Sequence, residues 1–245
     1  MPHIRLAARA AVLLGVLSSG LPLATVQAGA AAPDFAPPVS VTTDASTYAY
    51  GAWAKVTVHV GADAAGAGDS ATIVAESVND LRPVVKTGVV DAKGDVVEYF
   101  RLWKDTTFQV TGWDKANGSR QVSRSVAVRA GLNERLGGYY RTTHVGRTMY
   151  RVFRAWSRPQ LSVVVAPDDK SSQSVVFRVQ EYVRGAWRTI STSVSLPLDG
   201  TGRAGVGLLL DNSQTGHLYR FDVRYGGDDE NVATDGAWLY YTVRG

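Results

Sequence analysis

The chain has 245 residues, a formal charge of +4 from 26 Lys+Arg against 22 Asp+Glu, and no cysteine. That length accommodates one or two domains. The missing cysteines exclude disulfide staples, thiol nucleophiles and thiolate metal ligands. The near-even charge excludes a polyanion, nucleic acid included, as a partner of the surface as a whole.

Residues 1–32 have the order of a secretory signal peptide. His3, Arg5 and Arg9 make a basic start, and residues 6–23 are apolar with breaks at Gly15, Gly20 and Pro22. Small residues follow at Val26-Gln27-Ala28 and Ala28-Gly29-Ala30. The uninterrupted apolar run is too short for a membrane anchor. The expected product is a secreted, extracellular chain with no membrane span, its charge reduced from +4 to +2 by the loss of Arg5 and Arg9.

Residues 33–38, Pro-Asp-Phe-Ala-Pro-Pro, read as an extended lead-in stiffened by proline. Strands are expected at 39–43, 55–60, 71–77, 83–90, 96–101, 107–113 and 123–130, because apolar residues there recur with a period of two. In the clearest run Val56, Val58 and Val60 share one face. A Gly/Ala loop at 62–69 and turn signals at Asn79-Asp80, Asp91-Ala92-Lys93-Gly94 and Asn117-Gly118 separate these strands. Residues 131–138 read as a short polar connector with Gly137-Gly138 as its joint. Two periods compete at 146–158. Met149, Val152, Phe153 and Trp156 follow helical spacing, Tyr150-Arg151-Val152 fits a strand, and the β surroundings favour the strand.

Further strands are expected at 161–165, 175–183, 187–196, 203–210, 218–225 and 237–243. The last two form an antiparallel hairpin. Tyr219, Phe221, Val223 and Tyr225 face the core while Arg220, Asp222 and Arg224 face out. On the final strand Trp238 and Tyr240 face out, opposite Leu239, Tyr241 and Val243. Short signals repeat about a hundred residues apart: Asp91–Gly94 at Asp199-Gly200-Thr201-Gly202, and Phe108-Gln109-Val110 at Tyr219-Arg220-Phe221. With no amphipathic helix between strands, the expected fold is all-β, two tandem antiparallel sandwiches at 39–130 and 137–245.

Tyr50-Gly51, the strand 55–60, Asp91–Gly94 and Thr106-Thr107-Phe108-Gln109-Val110 together resemble bacterial immunoglobulin-like repeats. Gly185-Ala186-Trp187-Arg188 and Tyr219-Arg220-Phe221-Asp222-Val223-Arg224-Tyr225-Gly226-Gly227-Asp228 are similar in the second half. The resemblance covers nearly all of 39–245. It implies a secreted protein of the kind common in high-GC Gram-positive bacteria, and the role of an extracellular spacer, adhesion or binding module. The antibody-type Cys…Trp…Cys core is missing.

Catalytic chemistry finds no motif. Gly68-Asp69-Ser70 is similar to the start of a serine-esterase block but lacks the strand-to-helix elbow and a downstream Asp-x-x-His, so it reads as a turn. His59, His144 and His217 have no ligand spacing. Asp228-Asp229-Glu230-Asn231 offers oxygen ligands for calcium but not the alternating acidic spacing that wraps the ion, and a solvated hairpin loop explains it equally well. No catalytic residue, metal site or cofactor is therefore expected.

One local anomaly carries a binding expectation. Residues 135–158 hold six arginines and no acid, interleaved with Tyr139, Tyr140, Tyr150, Phe153 and Trp156. Basic plus aromatic is the composition of a surface for anionic polymers. The candidate ligand-binding residues are Arg147, Arg151 and Arg154 with Tyr150 and Trp156. The partner would be an anionic cell-wall or extracellular polymer or another cell-surface component. The structural alternative is a solvated face neutralised across strands by Asp222 or Glu181. The reading from sequence is a secreted, non-enzymatic binding, adhesion or spacer module. An enzyme or enzyme inhibitor, with its site in the loops at one sandwich end, is the alternative.

Overall fold

The computed structural model describes residues 39–61, 69–114 and 118–245. The expectations for the signal peptide, the lead-in, Gly68 with most of its loop, and Asn117 lie outside these residues. Alternation sets the first core. Eight strands build it: β1 (Val39–Thr43), β2 (Thr47–Tyr48), β3 (Trp53–Val60), β4 (Ser70–Ser77), β5 (Val84–Val89), β6 (Asp95–Arg101), β7 (Thr106–Asp114) and β8 (Gly118–Val128). On β3, Ala54, Val56, Val58 and Val60 are fully buried while Trp53 before them and Lys55 among them are exposed. Burying a Val or Phe side chain contributes about 1.5–3 kcal/mol, and β3 supplies three of the valines in this core. A three-stranded sheet, β1-β3-β6, packs on a five-stranded sheet, β2-β8-β7-β4-β5.

The second core repeats the plan with eleven strands: β9 (Gly131–Gly137), β10 (Arg141–Val145), β11 (Thr148–Arg154), β12 (Gln160–Ala166), β13 (Ser174–Val183), β14 (Ala186–Thr192), β15 (Leu196–Pro197), β16 (Arg203–Gly207), β17 (Leu218–Tyr225), β18 (Thr234–Asp235) and β19 (Leu239–Arg244). A three-stranded sheet, β16-β12-β9, faces an eight-stranded one, β10-β11-β19-β17-β13-β14, to which β15 and β18 attach. Both sandwiches are antiparallel but for the β2–β8 and β11–β19 pairings. The architecture is all-β, two Ig-like sandwiches inside one compact unit.

The expected connector at 131–138 is corrected by the structure. Residues 131–137 are β9, bonded along its whole length to β12 from Gly137↔Gln160 to Gly131↔Ala166. The cause is a pattern diluted by polar neighbours: Leu132 and Leu136 both pack into the second core, with Asn133 and Arg135 exposed between and beside them. At 146–158 the strand period prevails over the helical one, since β10 and β11 form a hairpin from Arg141↔Val152 to Val145↔Thr148.

The repeated turns are the same object. In each, one Asp Oδ1 accepts two backbone N–H groups, from Lys93 and Asp95 at Asp91 and from Thr201 and Arg203 at Asp199. Each ends on a glycine in the left-handed region, Gly94 at φ 85° and Gly202 at φ 68°, where a Cβ is disfavoured. The carbonyl of that glycine then bonds the core strand opposite, at Val60 or Val165.

Candidate functional site

The eight-stranded sheet turns one face to its core and the other outward. Tyr219, Phe221, Val223 and Tyr225 on β17 enter the core, as do Phe153, Tyr241 and Val243. Period two and the pairing register then assign the outer face across six strands. It carries Arg141 on β10, Tyr150, Val152 and Arg154 on β11, Tyr240, Thr242 and Arg244 on β19, and Arg220, Asp222 and Arg224 on β17. Arg178 and Gln180 on β13 and Trp187 on β14 complete it.

Two kinds of arginine occupy this face. Towards β13 they are held. Arg178 forms a two-pronged bond with buried Asp222, and that bond is the main reason its guanidinium pKa is raised. Arg220 lies between two indoles, 4.5 Å from the Trp187 centroid and 3.9 Å from that of Trp238, and its Nε donates to Gln180 Oε1 at 2.8 Å. Arg178 stacks on Trp238 at 4.8 Å, so the order Trp187–Arg220–Trp238–Arg178 alternates ring and cation. Tyr240 joins the ladder to β11 through contacts with Trp187 at 5.7 Å and Tyr150 at 5.4 Å.

Towards β10 the arginines are free of acids. Arg154 lies directly beside Arg244 in the parallel β11–β19 register. Arg141 and Arg154 share the ring of Tyr140, at 5.5 Å and 5.2 Å. None of the three takes part in an ion pair among the described residues, whose pairs involve other arginines, lysines and histidines. Like charges directly opposite one another destabilise a sheet.

The five residues expected to bind ligand are therefore divided. Arg154 and Tyr150 belong to the outer face, but Tyr150 is only 4% exposed, roofed by its neighbours on that face, and is a support rather than a contact residue. Arg151 points the other way and stacks on Tyr139 at 5.7 Å. Arg147 sits in the exposed turn between β10 and β11. Trp156 is 67% exposed beyond β11 and holds φ 68°, a left-handed conformation that few side chains adopt. Sequence reasoning missed Arg141 and Arg244 as site residues. Their signal was available only once register paired Arg244 with Arg154 and the Tyr140 ring gathered Arg141 with Arg154. The expected cross-strand neutralisation occurs at Asp222, for Arg178, and not at the β10 edge.

The acidic loop Asp228–Asn231 has a different task. Lys170, 1% exposed, donates to Asp228 Oδ2 and Glu230 Oε2, both at 2.7 Å. Glu230 Oε1 accepts from Asn79 at 2.9 Å and Lys104 at 3.0 Å, both in the first sandwich. Asn231 Nδ2 donates to the carbonyls of Trp103 and Val128, and the Asp105 N–H donates to the Glu230 carbonyl. The loop thus joins the two sandwiches, and lysines occupy the carboxylates. Among the described residues no group of three or more His, Asp or Glu is arranged to hold a metal. His59 with Asp95 and His217 with Glu181 are two-member surface pairs.

No family model matches the chain, and no curated protein matches it. Among solved structures it is similar to a superoxide reductase (neelaredoxin) variant of Ignicoccus hospitalis, at 15% identity and TM-score 0.33 over 37% of this chain and 80% of that one. It is also similar to trypsin-activated alpha-2-macroglobulin of Escherichia coli, at 16% identity and TM-score 0.33 over 87% of this chain and 16% of that one. A Salmonella alpha-2-macroglobulin reacted with methylamine gives 11% identity and TM-score 0.35 over 86% and 17%. At these levels nothing of those proteins' chemistry is carried over. Among the described residues no helix is long and apolar enough to cross a membrane.

Proposed function

We propose that this chain is a secreted, non-enzymatic module that holds an anionic extracellular polymer, such as a bacterial cell-wall polymer, on the outer face of its eight-stranded sheet. The observation that carries the reading is the opposed pair Arg154–Arg244 with Arg141 beside it, three guanidiniums without an acid partner among the described residues. A sheet gains nothing in stability from such a pairing, whereas phosphate or sulfate groups spaced along a polymer would neutralise it with two-pronged bonds. Tyr140 offers a ring on which the two nearer arginines are already ordered.

The test is retention on heparin and on teichoic-acid matrices at two salt concentrations. Four arginine contacts, counting Arg220, correspond to a loss of roughly 10²-fold in affinity between about 50 and 200 mM salt. R141A/R154A/R244A should elute with the unretained fraction, while a charge-matched variant elsewhere, K93A/R120A/R124A, should elute like wild type. Equal elution of the two variants would show that net charge alone governs retention and would refute the reading.

A further inference from the structure

Strands β5 and β6 are free edges of the two sheets of the first sandwich, each bonded on one side only among the described residues. At one end they close, where Gly88 packs on Val96 so tightly that a Cβ there would lie 2.5 Å from a valine methyl. At the other end they part into a groove of 470 Å³, within the range of about 300–1,000 Å³ usual for ligand sites. Its floor is core: Phe100, Leu102 and Ala75. Its rim exposes Trp53, Tyr99, Trp103 and Val84. Clustered exposed apolar side chains of this kind mark binding surfaces.

The lining is one-sided in charge, with Arg82, Lys86 and Arg101 against Asp80. Lys86 is committed: it pairs with Glu98 at 3.0 Å, donates to the Tyr99 carbonyl at 2.7 Å and lies 5.0 Å over the Phe100 ring. Arg101 is stacked on Trp103 at 4.4 Å, and its Nε donates to the Gly51 carbonyl at 3.2 Å, with no carboxylate on its fork among the described residues. Arg82 is exposed, and among the described residues only its backbone N–H is bonded, to Asp80. We infer that this groove binds a small amphipathic anion, its apolar body on the aromatic rim and floor and its acidic head on Arg82 and Arg101. A neutral ligand would leave both guanidiniums unmatched, and a cation would meet two uncommitted like charges.

The inference is independent of the outer face, and its test keeps the two apart. Dodecanoate, dodecyltrimethylammonium and dodecyl maltoside are titrated below their micellar concentrations by calorimetry and tryptophan fluorescence. Dodecanoate should bind saturably at one site, at least tenfold tighter than either other probe. V84W, which fills the groove, should abolish binding, and R82A/R101A, a surface change that leaves the core intact, should weaken it at least tenfold. R141A/R154A/R244A should bind dodecanoate as wild type does. Dodecanoate binding no tighter than the cationic or neutral probe, unchanged binding in R82A/R101A, or loss of binding in the outer-face variant would each overturn the inference.

Discussion

The joint between the sandwiches and the outer face of the larger sheet use the same kinds of side chain to opposite ends. At the joint, Lys170 and Lys104 are enclosed and matched by Asp228, Glu230 and Asp169. On the outer face, Arg141, Arg154 and Arg244 are side by side and unmatched. A buried charge without a partner is costly, so the joint must satisfy each of its ions internally. An exposed charge is tolerated by water at little cost. Matched charge holds the protein together, and unmatched charge is left for something outside it.

The comparison is broken most severely at Lys170. K170M leaves buried Asp228 without its cation and Glu230 with Lys104 alone, and should cost about 3–5 kcal/mol, measured by chemical denaturation. The pH dependence has a definite sign. Burial raises Asp228 and Glu230, but hydrogen bonds from Lys170, together with others from the backbone, Asn79 and Lys104, outweigh it and hold both below their ordinary values. Their contribution is present above the unfolded values of roughly 4 and is lost as pH falls through the lower folded ones. Burial lowers the two lysines, but their carboxylate partners outweigh it and leave both raised. That contribution is present below roughly 10.4 and is lost as pH rises through the higher folded values. Wild type should show a stability plateau between about pH 5 and 10 with a fall at each end. K170M should instead gain stability as pH is lowered towards 4, because protonation discharges the stranded Asp228. A K170M acid limb parallel to that of wild type would contradict the buried-pair account.

Much of this was legible in the chain, and the illegible part has physical reasons. Period two located most strands of both cores, though not β9 or β10, and the Arg220/Asp222/Arg224 alternation on β17 assigned the outer face from the sequence alone. The Asp-x-x-Gly turns announced the repeat. Lys170 was not legible: beside Asp168 and Asp169 it reads as part of a solvated turn, and its partners lie 58 and 60 residues away. Tyr150 misled for a related reason. An aromatic on an outward phase is expected to be exposed, but Tyr240 covers it from a strand 90 residues downstream. β9 was hidden because its polar positions outnumber its two leucines.

A milder break falls on Asn231, which is fully buried and donates to the carbonyls of Trp103 at 3.0 Å and Val128 at 3.3 Å. N231A strands the Trp103 carbonyl, while that of Val128 keeps the Val232 N–H, and should cost about 1–3 kcal/mol. The loss falls on contacts between the sandwiches and spares both cores. Its signature should therefore be a calorimetric transition that splits in two, where wild type shows one. A single transition at lower temperature would mean that the joint is held by its ions alone.

The smallest effect is expected where the outer face borders on structure, at Arg220. R220K keeps the charge but replaces a planar fork, stacked between Trp187 and Trp238 and bonded to Gln180, with a flexible point charge. Each exposed cation–π contact contributes about 0.5–1 kcal/mol and lysine retains part of it, so the stability loss should stay below about 1 kcal/mol. Retention on an anionic matrix separates two meanings of the ladder. If the indoles serve only to cover the sheet, R220K elutes with wild type, because net charge is unchanged. If they hold Arg220 in the orientation a polymer grips, R220K elutes at lower salt although its charge and fold are intact. The geometry favours the second outcome, since the guanidinium is fixed from both sides and from its Nε while its remaining N–H donors meet no acid among the described residues.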